Sequence, residues 1–270
     1  MRRRPAGFTL IELLISVAII GVLAGILVPA VLETIQHAQM TVCASNLRQL
    51  GLGVRMYAND NDGLLFPVRM PSDPDTPEDE ATWWYFGYEQ GTQWGSTAEG
   101  ERVLDKTRAK LYPYVPDYEG VEICPSFPYA GSFKAKFRGK WWTYGINRVL
   151  SPDRLLRPNE PCRSLLEIHG SDSSRTVLLA DAAQVNTFQA PASRANPLIE
   201  EWHYVQPMDA AMADYPHVHF RHMGKANVLF ADWHVEACEP AEGSIDARLP
   251  EAMIGHLDPE RYLYRPRGDR

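Results

Sequence analysis

The sequence predicts an α+β protein: a long N-terminal helix, apolar enough in its first half to span a membrane, packed by its second half on a globular head with an antiparallel β-sheet. Three observations carry this. Residues 7–32, GFTLIELLISVAIIGVLAGILVPAVL, include only Thr9, Glu12 and Ser16 as polar side chains. At about 1.5 Å per residue the run before Pro29 makes a helix of roughly 30 Å, the thickness of bilayer hydrocarbon. Beyond Pro29, residues Ile35, Ala38, Val42, Leu47, Leu50, Val54 and Tyr57 recur at helical spacing and draw one apolar stripe. Near the other end, ANVLFA and HVEAC flank Asp232 and Trp233 as two strands flank a tight turn.

The N-terminal segment has a direction. Arg2, Arg3 and Arg4 precede it, and basic residues flanking a first apolar span hold that end in the cytoplasm, so the head is expected outside a single-pass anchor. A cleaved secretory signal has an apolar region of only about 7 to 15 residues, shorter than this one. A plain anchor leaves Glu12 unexplained, because an unpaired carboxylate in hydrocarbon costs on the order of a few kcal/mol. Pro29 removes a backbone donor and crowds the preceding turn, so a kink or local melting is expected there.

The helix is expected to stop at Asn59, Asp60, Asn61, Asp62 and Gly63, with Gly51 and Gly53 weakening its last turns. The acidic cluster lacks the later ligands of a calcium loop, since Leu64, Leu65, Phe66 and Pro67 follow. Residues 67–80 set Pro67, Pro71, Pro74 and Pro77 among acidic side chains, an exposed irregular loop. Trp83, Trp84, Tyr85, Phe86, Tyr88 and Trp94 then form an aromatic cluster, read as core packing, with an exposed stacking platform as the sharper alternative. Residues 99–111 have helical composition; Val121, Ile123 and Cys124 suggest a short edge strand; WWTYGI at 141–146 and RTVLLAD at 175–181 read as strands. After Pro240 the chain reads as a polar tail with one amphipathic piece near Leu249–Leu257 and a frayed end, RPRGDR.

Composition narrows the function. The formal charge of −7 gives no overall support for nucleic-acid binding. Cys43, Cys124, Cys162 and Cys238 contain no C-x-x-C pair; outside the membrane one or two disulfides are as compatible with them as buried free thiols. His217 and His219, at i and i+2, share a strand face that could chelate with His222, Asp232 and His234, but only the residue types support a metal, and a structural role is preferred. No nucleophile elbow, phosphate loop or dinucleotide fingerprint is present. Asp79 and Glu80 sit in the acidic loop, where solvated charge is the default. No enzyme activity, cofactor or metal is expected.

Gly7, Phe8, Thr9, Leu10, Ile11 and Glu12, with basic residues before them and Gly21 and Pro29 beyond, resemble the start of a type IV prepilin or a type II secretion pseudopilin. The resemblance implies a pilin-like fold and cleavage after Gly7 by a prepilin peptidase, which is also the methyltransferase acting on the new terminus at Phe8. It further implies that Glu12, with Pro29, serves assembly, the carboxylate pairing with the Phe8 amine of a neighbouring like subunit in a filament. Such a pair attracts strongly in a medium of low dielectric. The expected divisions are a leader at 1–7, a helix in the inner membrane at 8–30, its continuation at 31–60, an extracytoplasmic head at 61–242 and a tail at 243–270.

A second likeness covers more of the chain. CASNLRQL at 43–50, Tyr57 with NDNDG at 59–63, and YGIN at 144–147 resemble a group of bacterial prepilin-like proteins that carry near the C-terminus a His, nine residues, then Asp-Gly. Here His222 is followed by nine residues and Asp232, with Trp233 where Gly is usual. Because Trp disfavours positive φ, a different turn type is expected at this corner. The rival reading is an anchored binding module whose head grips carbohydrate or a secreted partner through Trp83 or Trp84; only a filament subunit should depend on Glu12.

Overall fold

A computed structural model describes residues 9–265 except 72–80, 91–99, 116–117, 130–132, 140–141, 169, 187–191, 194, 197 and 209–214. Gly7, Phe8, Trp94, Asp79, Glu80, Trp141 and the last five residues of the RPRGDR terminus therefore lie outside the described residues.

One helix, α1 (Leu10–Asp60), runs through the N-terminal fifth of the chain without interruption. At about 1.5 Å per residue its 51 residues reach roughly 77 Å. Pro29 lies inside it and does not melt it. The missing N–H leaves the Gly25 carbonyl without its usual partner, and the helix-forming residues on either side carry the ladder past that single gap. From Leu10 to Ile35 every large apolar side chain is exposed. The helix ends where Asn61 N and Gly63 N both donate to Ala58 O and the chain reverses through positive φ at Asp62 and Gly63.

The docking face of α1 starts later than the apolar stripe suggests. Cys43, Asn46, Leu47, Leu50, Gly51, Gly53, Val54 and Ala58 are buried, while Ile35, Ala38 and Val42 stay exposed. Asn46, a polar residue beside this stripe, is turned inward and donates to Ile123 O at 3.2 Å. Gly51 and Gly53 permit close approach: a Cβ on Gly51 would lie 2.7 Å from Leu229 Cδ2, and one on Gly53 2.4 Å from Val115 Cγ2.

The head holds short strands. In chain order they are β1 (Arg69–Pro71), β2 (Thr82–Trp84), β3 (Gly87–Glu89), β4 (Leu104–Asp105), β5 (Tyr144–Asn147), β6 (Val177–Asp181), β7 (Ala183–Val185), β8 (Ile199–Glu201), β9 (Tyr204–Val205), β10 (Val218–His219), β11 (Ala226–Phe230), β12 (Val235–Cys238) and β13 (Ile254–Gly255). The first four form an antiparallel sheet in sequence order. The main sheet runs β12-β11-β6-β5-β9, antiparallel throughout except for the parallel pair β5 and β9. Every residue of β5, β6 and β11 is buried, as expected of strands covered on both faces. On one face lies α1, joined in a single core to an aromatic group that includes Phe66, Tyr85, Phe86 and Trp142. On the other lie Trp202, Phe220, Leu257, Tyr262 and Tyr264.

Three local expectations differ from the structure. Among the described residues of 99–111 there is no α-helix, only β4 and a 3-10 turn at Lys106–Arg108. Val121 closes a single helical turn, α2 (Tyr118–Val121), and Ile123 and Cys124 follow outside any strand. The segment set apart as a tail is part of the head: Leu249, Ile254, Leu257, Tyr262 and Tyr264 are buried, β13 pairs with β10, and Leu263 exchanges backbone bonds with Arg175 and Val177 beside β6. The amphipathic piece near Leu249–Leu257 was the one sign of this in the sequence; Tyr262 and Tyr264 are single anchors among polar residues, which periodicity does not mark.

Candidate functional site

At its exposed end the rod carries one acidic side chain. Glu12 N donates to Thr9 Oγ1 at 3.3 Å, and Glu12 Oε2 accepts from Thr9 N at 2.8 Å and from Thr9 Oγ1 at 2.7 Å. This is a capping box, which satisfies two otherwise orphaned amides at the start of α1. The T-x-x-E spacing was readable in the sequence and gives Glu12 a local partner in the single chain. Both accepted bonds fall on Oε2, leaving Oε1 with none among the described residues. Around it, Leu10, Ile11, Leu13, Leu14 and Ile15 are exposed, with nothing among the described residues covering them.

Where the rod meets the head, covalent and hydrogen-bonded contacts tie the seam. A disulfide joins Cys43 of α1 to Cys124 across 81 residues. Asn46 donates to Ile123 O as described, and Asn227 Nδ2 donates to Met40 O at 3.0 Å. Cys162 and Cys238 are free. Beneath the seam sits a buried charge group. Asp181 Oδ1 accepts from Arg221 Nη2 at 2.7 Å, and its Oδ2 accepts from Asn227 N at 2.7 Å and faces His222 Nε2 at 3.1 Å. Burial alone would raise the Asp181 carboxyl, but Arg221 and His222 outweigh it and hold the group at about 2. Close by, burial pushes Glu122 up to about 8 even though it pairs with Lys106.

The histidines and Asp232 do not converge. His222 lies before β11 and Asp232 after it, so the strand's length, roughly 17 Å, separates them. Asp232 is exposed and pairs with His234 at the hairpin corner. His217 stacks on Trp202 with ring centroids 5.1 Å apart, and His219 meets Phe127 edge-on and Arg221 Nη1 at 3.0 Å. Burial holds both rings well below the ordinary histidine range and hence neutral. Trp233 adopts φ +76° despite its bulk, so the corner keeps the conformation a glycine would favour. Packing against the core and the Arg55 guanidinium, 5.8 Å above its ring, hold it there.

The aromatic cluster is mostly interior: Trp84, Tyr85 and Phe86 are buried. Trp83 and Tyr88 are half-buried and covered by Arg108, 4.6 Å and 3.4 Å from their ring centres. Sequence reasoning missed Asp181, Arg221 and Asn46. The one available signal was the acid closing the buried strand VLLAD, since a charge at that place must find a partner.

The comparisons with known proteins begin at the N-terminus of the rod. Residues 2–28 match the prokaryotic N-terminal methylation motif. The chain is 33% identical over 84 residues to the type II secretion system core protein G of Pseudomonas aeruginosa, covering 28% of this chain and 59% of that protein. It is 43% identical over 60 residues to the type IV wide pilus major component PilA4 of Thermus thermophilus, covering 22% of this chain and 46% of that one. No solved structure matches it. The core protein G of Dickeya chrysanthemi is 30% identical over 126 residues, 43% of this chain and 81% of that protein; with four-fifths of such a relative covered, the chain belongs to the type II secretion core protein G family of prepilin-type proteins.

Proposed function

We propose that this chain is a structural subunit of a type II secretion or type IV pilus-like filament, made as a prepilin. A prepilin peptidase would cut after Gly7 on the cytoplasmic side, remove the arginines and expose the Phe8 amine for methylation; the head would stand outside the inner membrane. The carrying observation is the fully exposed apolar rod from Leu10 to Ile35, joined to the matched motif. Once such a rod leaves lipid, only other rods can cover it. Glu12 then sets the register. Its Oε1, which accepts no bond among the described residues, would face the cationic terminus of a neighbour, while Oε2 stays on the Thr9 cap. In low dielectric that contact is strong, and an unmatched carboxylate is penalised, so one arrangement of subunits is favoured over slipped ones.

The test is Glu12→Gln in cells carrying the full assembly machinery. The expected result is normal insertion of the full-length chain and loss of sedimentable filament, with intact-mass analysis of the wild type giving a chain that begins at N-methylated Phe8. Wild-type protein that keeps residues 1–7, or a Glu12→Gln chain that assembles normally, would overturn the reading and leave a tethered domain.

A further inference from the structure

Four metal-type donors meet beneath the seam between rod and head. The Sγ atoms of Cys43 and Cys124, a carboxylate oxygen of Asp181 and a ring nitrogen of His222 lie within 4.8 Å of one another, all in buried residues. Cys124 Sγ is 3.5 Å from His222 Nε2, and that nitrogen is 3.1 Å from Asp181 Oδ2. The donors come from α1, the segment after α2, the end of β6 and the segment before β11, so the fold itself brings them together.

Two thiolates, one imidazole and one carboxylate are a four-donor set suited to zinc in tetrahedral coordination. The formal charges also close. Two thiolates and Asp181 carry −3, and a divalent cation with the Arg221 guanidinium supplies +3, so the buried group is neutral, as a dry interior requires. Arg221 Nη2 and Asn227 N already orient the carboxylate, the supporting role that partners of metal ligands play.

We propose that when a dithiol or phosphine reductant opens the Cys43–Cys124 disulfide, this site binds one zinc-class divalent cation. Rod and head are then tied covalently in one redox state and through a metal in the other. In the first step two electrons from the reductant and two protons convert the S–S bond to two thiols: a dithiol gives up its own two protons and ends as a disulfide, whereas a phosphine takes the oxygen of one water, whose two protons go to the thiols, and ends as phosphine oxide. In the second, the cation displaces both thiol protons to solvent and forms two metal–sulfur bonds. His222 binds as neutral imidazole through Nε2 with its proton on Nδ1, and Asp181 contributes one oxygen. With metal–sulfur bonds of about 2.3 Å the sulfurs separate to roughly 3.8 Å, within the spread of the donors.

The test uses the full chain in detergent with Cys162→Ser and Cys238→Ser, so that only the two seam thiols remain. Reduced with a phosphine under nitrogen, it is titrated with cobalt(II). The expected result is uptake of one equivalent with a thiolate-to-cobalt charge-transfer band, bleached by zinc, absent from the oxidised chain, and weakened about tenfold or more by His222→Ala. A reduced chain that unfolds and regains its circular dichroism when cobalt is added supports the site equally, because binding then drives folding. The proposal is overturned if the reduced chain, folded or not, takes up no cobalt, if the band persists undiminished in His222→Ala, or if the oxidised chain shows it too. None of these outcomes depends on the filament reading.

Discussion

Glu122 shows how burial at one residue becomes a pH dependence. Burial raises its carboxyl to about 8 from an ordinary 4.5, against the pull of Lys106. A folded-state value above the unfolded one means that the native chain binds the proton more tightly. The stability that Glu122 contributes is therefore fully present below about 4.5 and is lost as pH rises through about 8. Thermal melts of the full chain across that window should show a decline that Glu122→Gln flattens; parallel profiles for the two proteins would refute it. Trp233 supplies a second residue-scale case, because strain and packing oppose each other there. A side chain at φ +76° costs about 1–2 kcal/mol relative to glycine, while the half-buried indole packs on the core under Arg55. Trp233→Ala keeps the strain and loses the packing, whereas Trp233→Gly loses both. Both variants should melt below the parent, and the glycine variant should be the more stable of the two by about 1 kcal/mol, the reverse of the usual order. The sequence marked this corner through the Asp232–Trp233 pair but gave the wrong turn, because nothing local reveals that α1 lies over it.

At the scale of the element, the existence of α1 and of the strands β5, β6, β11 and β12 was legible, since long apolar runs and period-two alternation report burial directly. The face that α1 presents was less so. The apolar stripe runs on from membrane-type sequence into head-docking sequence, and composition alone does not say where one use ends; in the structure Ile35, Ala38 and Val42 belong to the exposed part and Cys43 opens the buried one. Gly51 and Gly53 looked like weak points in the helix. They are contact points, and the two views make opposite predictions. By helix propensity, alanine at either position should stabilise by roughly 1 kcal/mol. By packing, a Cβ 2.4 Å from Val115 Cγ2 or 2.7 Å from Leu229 Cδ2 forces overpacking that costs typically 1–3 kcal/mol. Gly53→Ala and Gly51→Ala should therefore lower the midpoint of chemical unfolding, Gly53→Ala the more. Gly21→Ala and Gly25→Ala meet nothing within 4 Å in the single chain, so no overpacking opposes helix propensity there and neither should lower that midpoint; a drop would mean that the first half of α1 packs on the head.

For the whole molecule, the division into rod and head was legible, but the boundary drawn near residue 242 was not a physical one. The chain after Pro240 is polar and Pro-containing apart from the amphipathic piece near Leu249–Leu257, so from sequence alone it reads as a tail. Five of its apolar residues nonetheless fill places in a core built by others: Leu249 and Ile254 lie with Phe127, Val185 and Ile199, and Leu257, Tyr262 and Tyr264 lie with Val228 and Phe230 beneath the main sheet. Asn147 Nδ2 donates to Tyr264 O at 2.9 Å and Ser244 Oγ to His256 O at 3.1 Å, so the segment is also held by buried polar contacts. Fully burying a large apolar side chain contributes about 1.5–3 kcal/mol. Removing five of them takes away on the order of 10 kcal/mol, comparable with the roughly 5–15 kcal/mol that a whole domain has in hand. A chain ending at Arg248 should thus fail to form a protease-resistant head while still inserting through α1, and one ending at Arg265 should resist proteolysis like the parent. Equal resistance of all three chains would restore the tail to the status the sequence assigned it.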